Sequence, residues 1–188
     1  MSTATMSVIQ TLESSPNILH ENWCVPREAG RFLHIITLML GCKTICEVGT
    51  SIGYSTLWLA SAAAQTGGQV HTLEYEKSRQ DLAKSNITKA NLQDRVTFYL
   101  GAAIDQLRQF QNEGKVFDLA FIDAAKAEYI DYVKLLETML PSGGCLIADN
   151  TRSHREQMSD FLAYMEASPL FDVAELETPN GQLLARKR

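Results

Sequence analysis

Short apolar runs alternate with helix-like patterns along most of the chain. Each of five apolar runs is followed by a segment whose hydrophobic residues recur every three or four positions, as on one face of a helix. This alternation predicts a parallel sheet with helices on both faces. The predicted strands are Thr44 to Val48, Gln69 to Leu73, Val96 to Leu100, Val116 to Ile122 and Cys145 to Ala148.

The two ends of the chain depart from this alternation. Residues Met1 to Val25 are weakly patterned, and a first helix is predicted only from Arg27 to Leu40. Near the C-terminus a helix predicted over Arg155 to Ala167 precedes two short strands, Phe171 to Leu176 and Gln182 to Ala185. Their connection is too short for a helical crossover and suits an antiparallel hairpin. We therefore expect a single domain over residues 1–188 with a doubly wound, Rossmann-like α/β fold: a mostly parallel sheet closed by a C-terminal hairpin.

Composition excludes some classes of protein. The formal net charge is -5 and no basic cluster offsets it, which argues against a nucleic-acid partner. No run reaches the roughly 18 apolar residues of a membrane span, so no membrane partner is expected. The first ten residues lack the basic start and apolar core of a secretory signal. The four cysteines show no metal-binding spacing, and buried thiols in a reducing, cytoplasmic location are expected.

Polar or small residues lie at the carboxyl ends of the predicted strands. In a parallel α/β sheet these ends meet at one edge, and ligands bind beyond them near the point where strand order reverses. The residues at these positions are Glu47, Glu74, Gly101, Asp123 and Asp149. The convergence predicts a binding site at this edge.

The turn after the first strand favours a nucleoside-type ligand other than a dinucleotide. Gly49 and Gly53 allow the backbone to approach a ligand, but Ser51 occupies the place of the second glycine of a dinucleotide fingerprint. Glu47, just before the turn, could accept hydrogen bonds from a ligand ammonium group or from the N–H groups of the turn. Glu74 could bind both ribose hydroxyls of either NAD or S-adenosylmethionine (SAM). A plain strand-to-helix turn is the structural alternative.

A second group of residues suits a divalent cation. If the fourth and fifth strands are neighbours, Asp123 and the Asp149-Asn150 pair lie only about 5 Å apart. Two carboxylates and an amide oxygen form a hard oxygen set of the kind that Mg²⁺ prefers. Lys126 could point into the same cleft and act as a base. The alternatives are ordinary loop chemistry for Asp149-Asn150 and a solvated lysine at Lys126.

Three stretches carry a family resemblance in combination and order. They are Glu47-Val48-Gly49-Thr50 with Gly53-Tyr54-Ser55, Phe117-Asp118 through Lys126 and Tyr129, and Gly143-Gly144 through Asp149-Asn150. From about Pro26 to the C-terminus, the chain resembles the cation-dependent class I O-methyltransferases. This family includes catechol and caffeoyl-CoA O-methyltransferases and their small bacterial relatives.

The resemblance implies a cofactor, a cation and a mechanism. SAM would lie over the first turn. A divalent cation, with Mg²⁺ as the leading candidate, would be held by Asp123, Asp149 and Asn150. Lys126 would be the general base and Asp123 the second catalytic residue, so that an acceptor hydroxyl loses its proton and attacks the methyl group. The residues expected to bind SAM are Glu47, Gly49, Thr50, Tyr54, Ser55, Glu74, Ala102, Ala103 and Asp123.

The chain also departs from this family. Many members carry a second acid where this chain has Ala125, and Thr151-Arg152-Ser153-His154 does not match the tryptophan-containing sequence that often follows the Asp-Asn pair. The N-terminal segment and the stretch between Asn150 and the final hairpin are also shorter than usual in the family. These segments normally shape the acceptor pocket and, in some members, a homodimer contact. The expected partner is a small hydroxyl acceptor, catechol-like or a vicinal diol.

Two alternatives remain open at this point. The first is a SAM-binding protein that does not catalyse metal-dependent methylation, since the pocket segments are shortened. The second is a nicotinamide-dependent dehydrogenase, which Ser51 and the closing hairpin disfavour.

Overall fold

Seven strands form one sheet in the computed structural model of the protein, which describes residues 1–188 apart from the side chain of Pro16. The strands are β1 (Thr44–Val48), β2 (Gln69–Glu74), β3 (Val96–Leu100), β4 (Leu119–Ile122), β5 (Cys145–Asp149), β6 (Phe171–Leu176) and β7 (Gln182–Lys187). The helices are α1 (Thr3–Glu13), α2 (Pro16–Glu21), α3 (Arg27–Met39), α4 (Tyr54–Thr66), α5 (Lys77–Lys89), α6 (Ala103–Asn112), α7 (Tyr129–Met139) and α8 (Ser159–Ala167). None of the helices described is long and apolar enough to cross a membrane.

The strand order is β3-β2-β1-β4-β5-β7-β6. Strands β1 to β5 pair in parallel, and β7 pairs antiparallel with both β5 and β6. The order reverses between β1 and β4, because the chain first builds outward through β2 and β3 and then returns to the other side of β1. This arrangement confirms the predicted doubly wound fold with its C-terminal hairpin.

Alternate residues along each strand belong to two hydrophobic cores, one on each face of the sheet. Ile45 packs with α1, α3, α4 and α5, whereas its neighbour Cys46 packs on the opposite face with α6, α7 and α8. Both faces of β4 and β5 are covered, which explains why these strands read as continuous apolar runs. The two faces of the sheet are therefore occupied by apolar packing.

The start of β4 differs from the prediction. The strand begins at Leu119 rather than at Val116, which is 54% exposed. The Asp118 backbone N–H donates to the carbonyl of Thr44 at 2.8 Å, and the Asp118 carboxylate accepts from the backbone N–H of Lys43 at 2.6 Å. Asp118 therefore aligns the starts of β1 and β4 instead of extending the ladder.

The N-terminal segment contains two helices that the sequence pattern did not predict. In α1, Thr5, Ile9 and Leu12 are buried at helical spacing, and Ser2 Oγ accepts from the Thr5 N–H at 3.2 Å as an N-cap. Only three positions carry the pattern, which is too few to distinguish a helix from chance. The segment packs on the α4 and α5 face of the sheet.

The last helix begins later than predicted, at Ser159 rather than Arg155. The preceding residues form turns, because the backbone N–H groups of Arg152 and Ser153 donate to the carbonyl of Asn180, each at 2.9 Å. Asn150 begins this segment in the left-handed region, with φ +70°. The loop after β5 is therefore tied to the C-terminal hairpin.

Candidate active site

A cavity of about 880 Å³ opens at the carboxyl ends of the parallel strands. Its wall combines the turn after β1, the ends of β2 to β4, the loop after β5 and the segment between α2 and α3. This is the edge of the sheet that the strand-end residues predicted. The predicted residues that line the cavity are Gly49, Thr50, Tyr54, Ser55, Glu74, Ala102, Ala103, Asp123, Lys126 and Asn150.

The turn after β1 is pressed against the end of β4. Gly49 has φ +102°, and a Cβ at this position would lie 2.0 Å from the carbonyl oxygen of Asp123. The N–H groups of Gly49 and Thr50 both donate to the carbonyl of Leu73 at 3.1 Å. The turn is thus fixed between β2 and β4, with its backbone exposed to the cavity.

Glu47 lies behind the cavity wall rather than in it. Its side chain is fully buried, and its carboxylate accepts three hydroxyl hydrogen bonds, each of 2.6 Å, from Ser55, Thr56 and Thr72. Burial raises the pKa of Glu47 to about 7, against the lowering effect of these three donors, and the nearby charge of Asp123 raises it further. Glu47 joins β1, β2 and α4 beneath the turn, so its contact with a ligand would be indirect.

Glu74 faces the cavity at the end of β2. One carboxylate oxygen accepts from the Ser51 N–H at 2.7 Å and the other from the Glu76 N–H at 2.9 Å. These two bonds fix the orientation of the carboxylate. Each oxygen has a further lone pair, so a diol could still bind to it.

Tyr54 and Ser55 line the cavity, but their hydroxyl groups are directed to protein partners. The Tyr54 hydroxyl donates to Glu13 of α1 at 2.6 Å, and Glu13 also pairs with Arg27 of α3. Ser55 Oγ donates to Glu47. These two residues therefore connect the cavity wall to the N-terminal helix and to the buried network.

Asp123 and Lys126 form an ion pair inside the cavity. Lys126 Nζ donates to Asp123 Oδ1 at 2.9 Å and to the Tyr129 hydroxyl at 3.2 Å, and the side chains of Asp123 and Lys126 are each 15% exposed. A short 3-10 turn at Lys126–Glu128 brings the ammonium group back over the strand end. An amine and a carboxylate thus face the same cavity at one point.

Asp149 lies beside Asp123 but is more deeply buried. The register of β4 and β5 pairs Ile122 with Ala148, so the two acids follow paired residues. Asp149 is 1% exposed, and its Oδ1 accepts from Gln182 Nε2 at 2.9 Å, whereas its Oδ2 has no hydrogen-bond partner among the described atoms. Burial, followed by the charge of Asp123, raises the pKa of Asp149 to about 7.

These residues suit a hard divalent cation. A buried carboxylate oxygen without a partner is costly unless a positive charge neutralises it, and Asp149 Oδ2 is such an atom. The described residues hold no group of three His, Cys, Asp or Glu side chains that could bind a metal. The set consists instead of two acids with Asn150, whose amide Nδ2 lies 3.4 Å from Ser153 Oγ.

The sequence pattern missed the cavity residues that precede α3. Asn22, Trp23, Cys24 and Val25 line the cavity from the segment between α2 and α3. The Ser51 hydroxyl donates to the carbonyl of Asn22 at 2.7 Å, which holds this segment against the turn after β1. An isolated tryptophan in a polar stretch was the one available signal.

Two residues of the C-terminal hairpin were also missed. Asn180 lines the cavity, and Gln182 contacts Asp149 from behind it. Their positions in the chain give no indication of this, because the contact joins segments 33 residues apart.

Comparison with known proteins places the chain in a family. The family model described as O-methyltransferase matches residues 4–160. A catechol O-methyltransferase of Niastella koreensis is 38% identical over 122 residues, covering 64% of this chain and 55% of the relative. A catechol O-methyltransferase of Mycobacterium tuberculosis is 34% identical over 126 residues, covering 67% and 56%. These matches span little more than half the length of the two curated relatives.

A solved structure extends the likeness to the whole fold. The O-methyltransferase from Bacillus cereus in complex with SAH is 30% identical and has a TM-score of 0.86, with 100% of this chain and 92% of that chain covered. The family model alone covers most of the chain, including the turn after β1, Asp123, Lys126 and the Asp149-Asn150 pair. The chain therefore belongs to the O-methyltransferase family.

Proposed function

We propose that the protein transfers a methyl group from SAM to a hydroxyl group of a small catechol-like or vicinal-diol acceptor. A divalent cation, with Mg²⁺ as the leading candidate, assists the transfer. One observation carries this proposal. The turn after β1 and the Asp123–Lys126 pair line the same cavity, with Gly49 in contact with the Asp123 backbone. A methyl donor over the turn and an acceptor beside Lys126 would then lie next to each other. The names of the two relatives, and the SAH bound in the Bacillus cereus protein, support the same reaction.

The donor half of the cavity suits a nucleoside. Glu74 offers a fixed carboxylate to the two ribose hydroxyls, as an acid at the end of the second strand does in nucleotide-binding sheets. Ala102 and Ala103 at the start of α6 leave room for a flat ring system. The exposed backbone after β1 would receive the amino-acid part of the cofactor.

The acceptor half combines charge with a potential base. When bound, SAM supplies an electrophilic methyl group, and a divalent cation held by Asp123, Asp149 and Asn150 supplies charge that lowers the pKa of an acceptor hydroxyl. Lys126 faces this position. Released from Asp123 and in its neutral amine form, Nζ would accept the hydroxyl proton as the new oxygen–carbon bond forms and the methyl–sulfur bond of SAM breaks.

A methyl-transfer assay tests the proposal directly. A panel of catechols, aliphatic vicinal diols and simple phenols is incubated with labelled SAM, once with Mg²⁺ and once with a chelator. Transfer to catechols or diols that stops in the chelator is the expected result. Saturable SAM binding without transfer to any member of the panel would contradict the catalytic part of the proposal and favour a binding protein.

A pair of variants tests the assigned acids. Asp149→Asn keeps an acceptor oxygen for Gln182 but removes the charge, and it should abolish Mg²⁺-dependent transfer while SAM affinity stays within about twofold. Asp172→Asn is the matched control, because Asp172 is an exposed acid on the outer strand β6. Undiminished transfer by Asp149→Asn would rule out the cation site.

A further inference from the structure

Gln182 is a fully buried amide directly opposite a buried acid. The antiparallel register of β5 and β7 pairs it with Asp149, and its Nε2 donates to Asp149 Oδ1 at 2.9 Å. On the same face of β7, the next residue but one, Leu184, packs against the hydrophobic core. Packing alone would be satisfied by an apolar side chain at this position, so the polar amide calls for another explanation.

The hydrogen bond fixes the plane of the carboxylate. Because the two oxygens of a carboxylate are rigidly joined, holding Asp149 Oδ1 also fixes the direction of Oδ2. That Oδ2 atom and Gln182 Oε1 are both buried, with no hydrogen-bond partner among the described atoms. The bond to Oδ1 therefore leaves the second carboxylate oxygen free to bind a cation from a defined direction.

The hairpin tip restrains the other side of the site. The carbonyl of Asn180 accepts from the N–H groups of Arg152 and Ser153, and a Cβ on Gly181 would lie 2.4 Å from the Arg152 nitrogen. The backbone of the loop that starts at Asn150 is thus packed directly against the tip. The C-terminal hairpin consequently holds both neighbouring candidate ligands, Asp149 and Asn150.

We propose that Gln182 is a positioning residue that orients Asp149 for a divalent cation. The inference rests on the cation site of the proposed function and adds the C-terminal hairpin to it. Hydrogen-bond partners of metal-binding carboxylates typically contribute about 10–100-fold to metal affinity, because they hold the ligand in its binding orientation. Gln182 contributes this orientation without contacting the cavity itself.

Metal affinity measured on the protein alone tests the role of Gln182. Mn²⁺ is titrated into wild type, Gln182→Met and Gln182→Asn, with free Mn²⁺ followed by electron paramagnetic resonance and no SAM or acceptor present. Gln182→Met retains the volume and removes the donor. Gln182→Asn retains the amide but is one methylene too short to reach Asp149. Both should raise the Kd for Mn²⁺ by about 10–100-fold and leave the Kd for SAM, measured without metal, within about twofold.

Gln80→Met is the matched control. Gln80 is another buried glutamine, 2% exposed, whose Nε2 has no partner in the described structure, but it lies on α5 outside the cavity lining. It should leave the Kd for Mn²⁺ unchanged. Thermal melting of each variant shows that it is folded during the titration.

The possible outcomes separate this inference from the proposed function. Saturable Mn²⁺ binding by wild type with unchanged affinity in both Gln182 variants would overturn the positioning role and leave the cation site standing. Absence of saturable binding in wild type would overturn the cation site and the role of Gln182 together. Equal losses of Mn²⁺ and SAM affinity would show a general structural defect and also contradict the inference.

Discussion

The α-carbon of Gly49 packs so closely against the backbone carbonyl of Asp123 that there is no space for a side chain at position 49. The register pairs Val48 with Ile122, so the two residues leave neighbouring strands side by side. A Cβ on residue 49 would lie 2.0 Å from the Asp123 oxygen. The donor turn and the acceptor end of the cavity are therefore joined through backbone rather than through side chains.

Gly49→Ala should destabilise the protein by more than about 3 kcal/mol, because the methyl group meets backbone atoms and the residue has a positive φ. Gly114→Ala is the control: Gly114 has φ +66°, and a Cβ there would meet no described atom within 4 Å. The Gly114→Ala variant should lose only about 1 kcal/mol of its free energy of unfolding. Urea denaturation measures both, and equal losses would contradict the contact.

Glu47 should make stability depend on pH. Its pKa is raised from 4.5 to about 7 on folding, so the folded state binds more protons between these values. Stability from this group is therefore greatest below the unfolded pKa and falls as the pH rises towards about 7, by up to about 3 kcal/mol. Glu47→Gln removes this dependence while keeping a side chain that can bond Ser55, Thr56 and Thr72.

The measurement is the free energy of unfolding of wild type and Glu47→Gln at about pH 5 and about pH 8. The difference between the two proteins should shift in favour of the variant at the higher pH. Other titrating groups cancel in this comparison, since both proteins contain them. A difference that stays constant with pH would mean that Glu47 is ionised in the same way in both states.

Glu74→Gln should weaken SAM binding by about 10–100-fold, because hydrogen bonds to a charged acceptor contribute about 1.5–3 kcal/mol. The amide oxygen can still accept from Ser51 or Glu76, so the turn should remain folded. Glu76→Gln is the control, as Glu76 is a neighbouring acid with a side chain that is 55% exposed. Isothermal titration with SAM compares the two, and similar affinities in both variants would remove Glu74 from the ribose site.

Lys126→Met should lower kcat by about 100-fold or more, the usual range for loss of a general base. The Kd for SAM should change less than about twofold, since Lys126 faces the acceptor side. Lys134→Met, which removes an exposed lysine of α7, should leave both quantities unchanged. Single-turnover transfer to an acceptor identified in the panel supplies the rate. A normal rate would make Lys126 only the ion-pair partner of Asp123.

Much of the fold could be predicted from local pattern. Strands β1, β3 and β6 have the predicted bounds, because each is an apolar or alternating run between turn residues. The helices α1 and α2 were missed; in α1 only Thr5, Ile9 and Leu12 are buried, which is too short a pattern to recognise. Local pattern also misjudged the start of α8, where hydrogen bonds to Asn180 hold the chain in turns.

Part of the candidate site could likewise be predicted from the sequence, and part of it could not. Asp123 and Asp149 could be recognised because each follows a buried strand, and parallel strands end at one edge. The structure brings Asp123, Lys126, Asn150 and Glu74 to one cavity. It places Glu47 behind the wall, where hydroxyl groups from β2 and α4 take up its carboxylate.

By itself, the sequence determined the layered sheet, the edge that carries the cavity and the acids near the ends of its strands, because hydrophobic period and strand-end position are local properties of the chain. Only the tertiary structure decided which polar side chains face the cavity and which support it. Gln182 illustrates the difference, since its contact with Asp149 depends on the register of β5 and β7 across 33 residues. A buried carboxylate is oriented by whatever the fold brings next to it, and no local pattern specifies that neighbour.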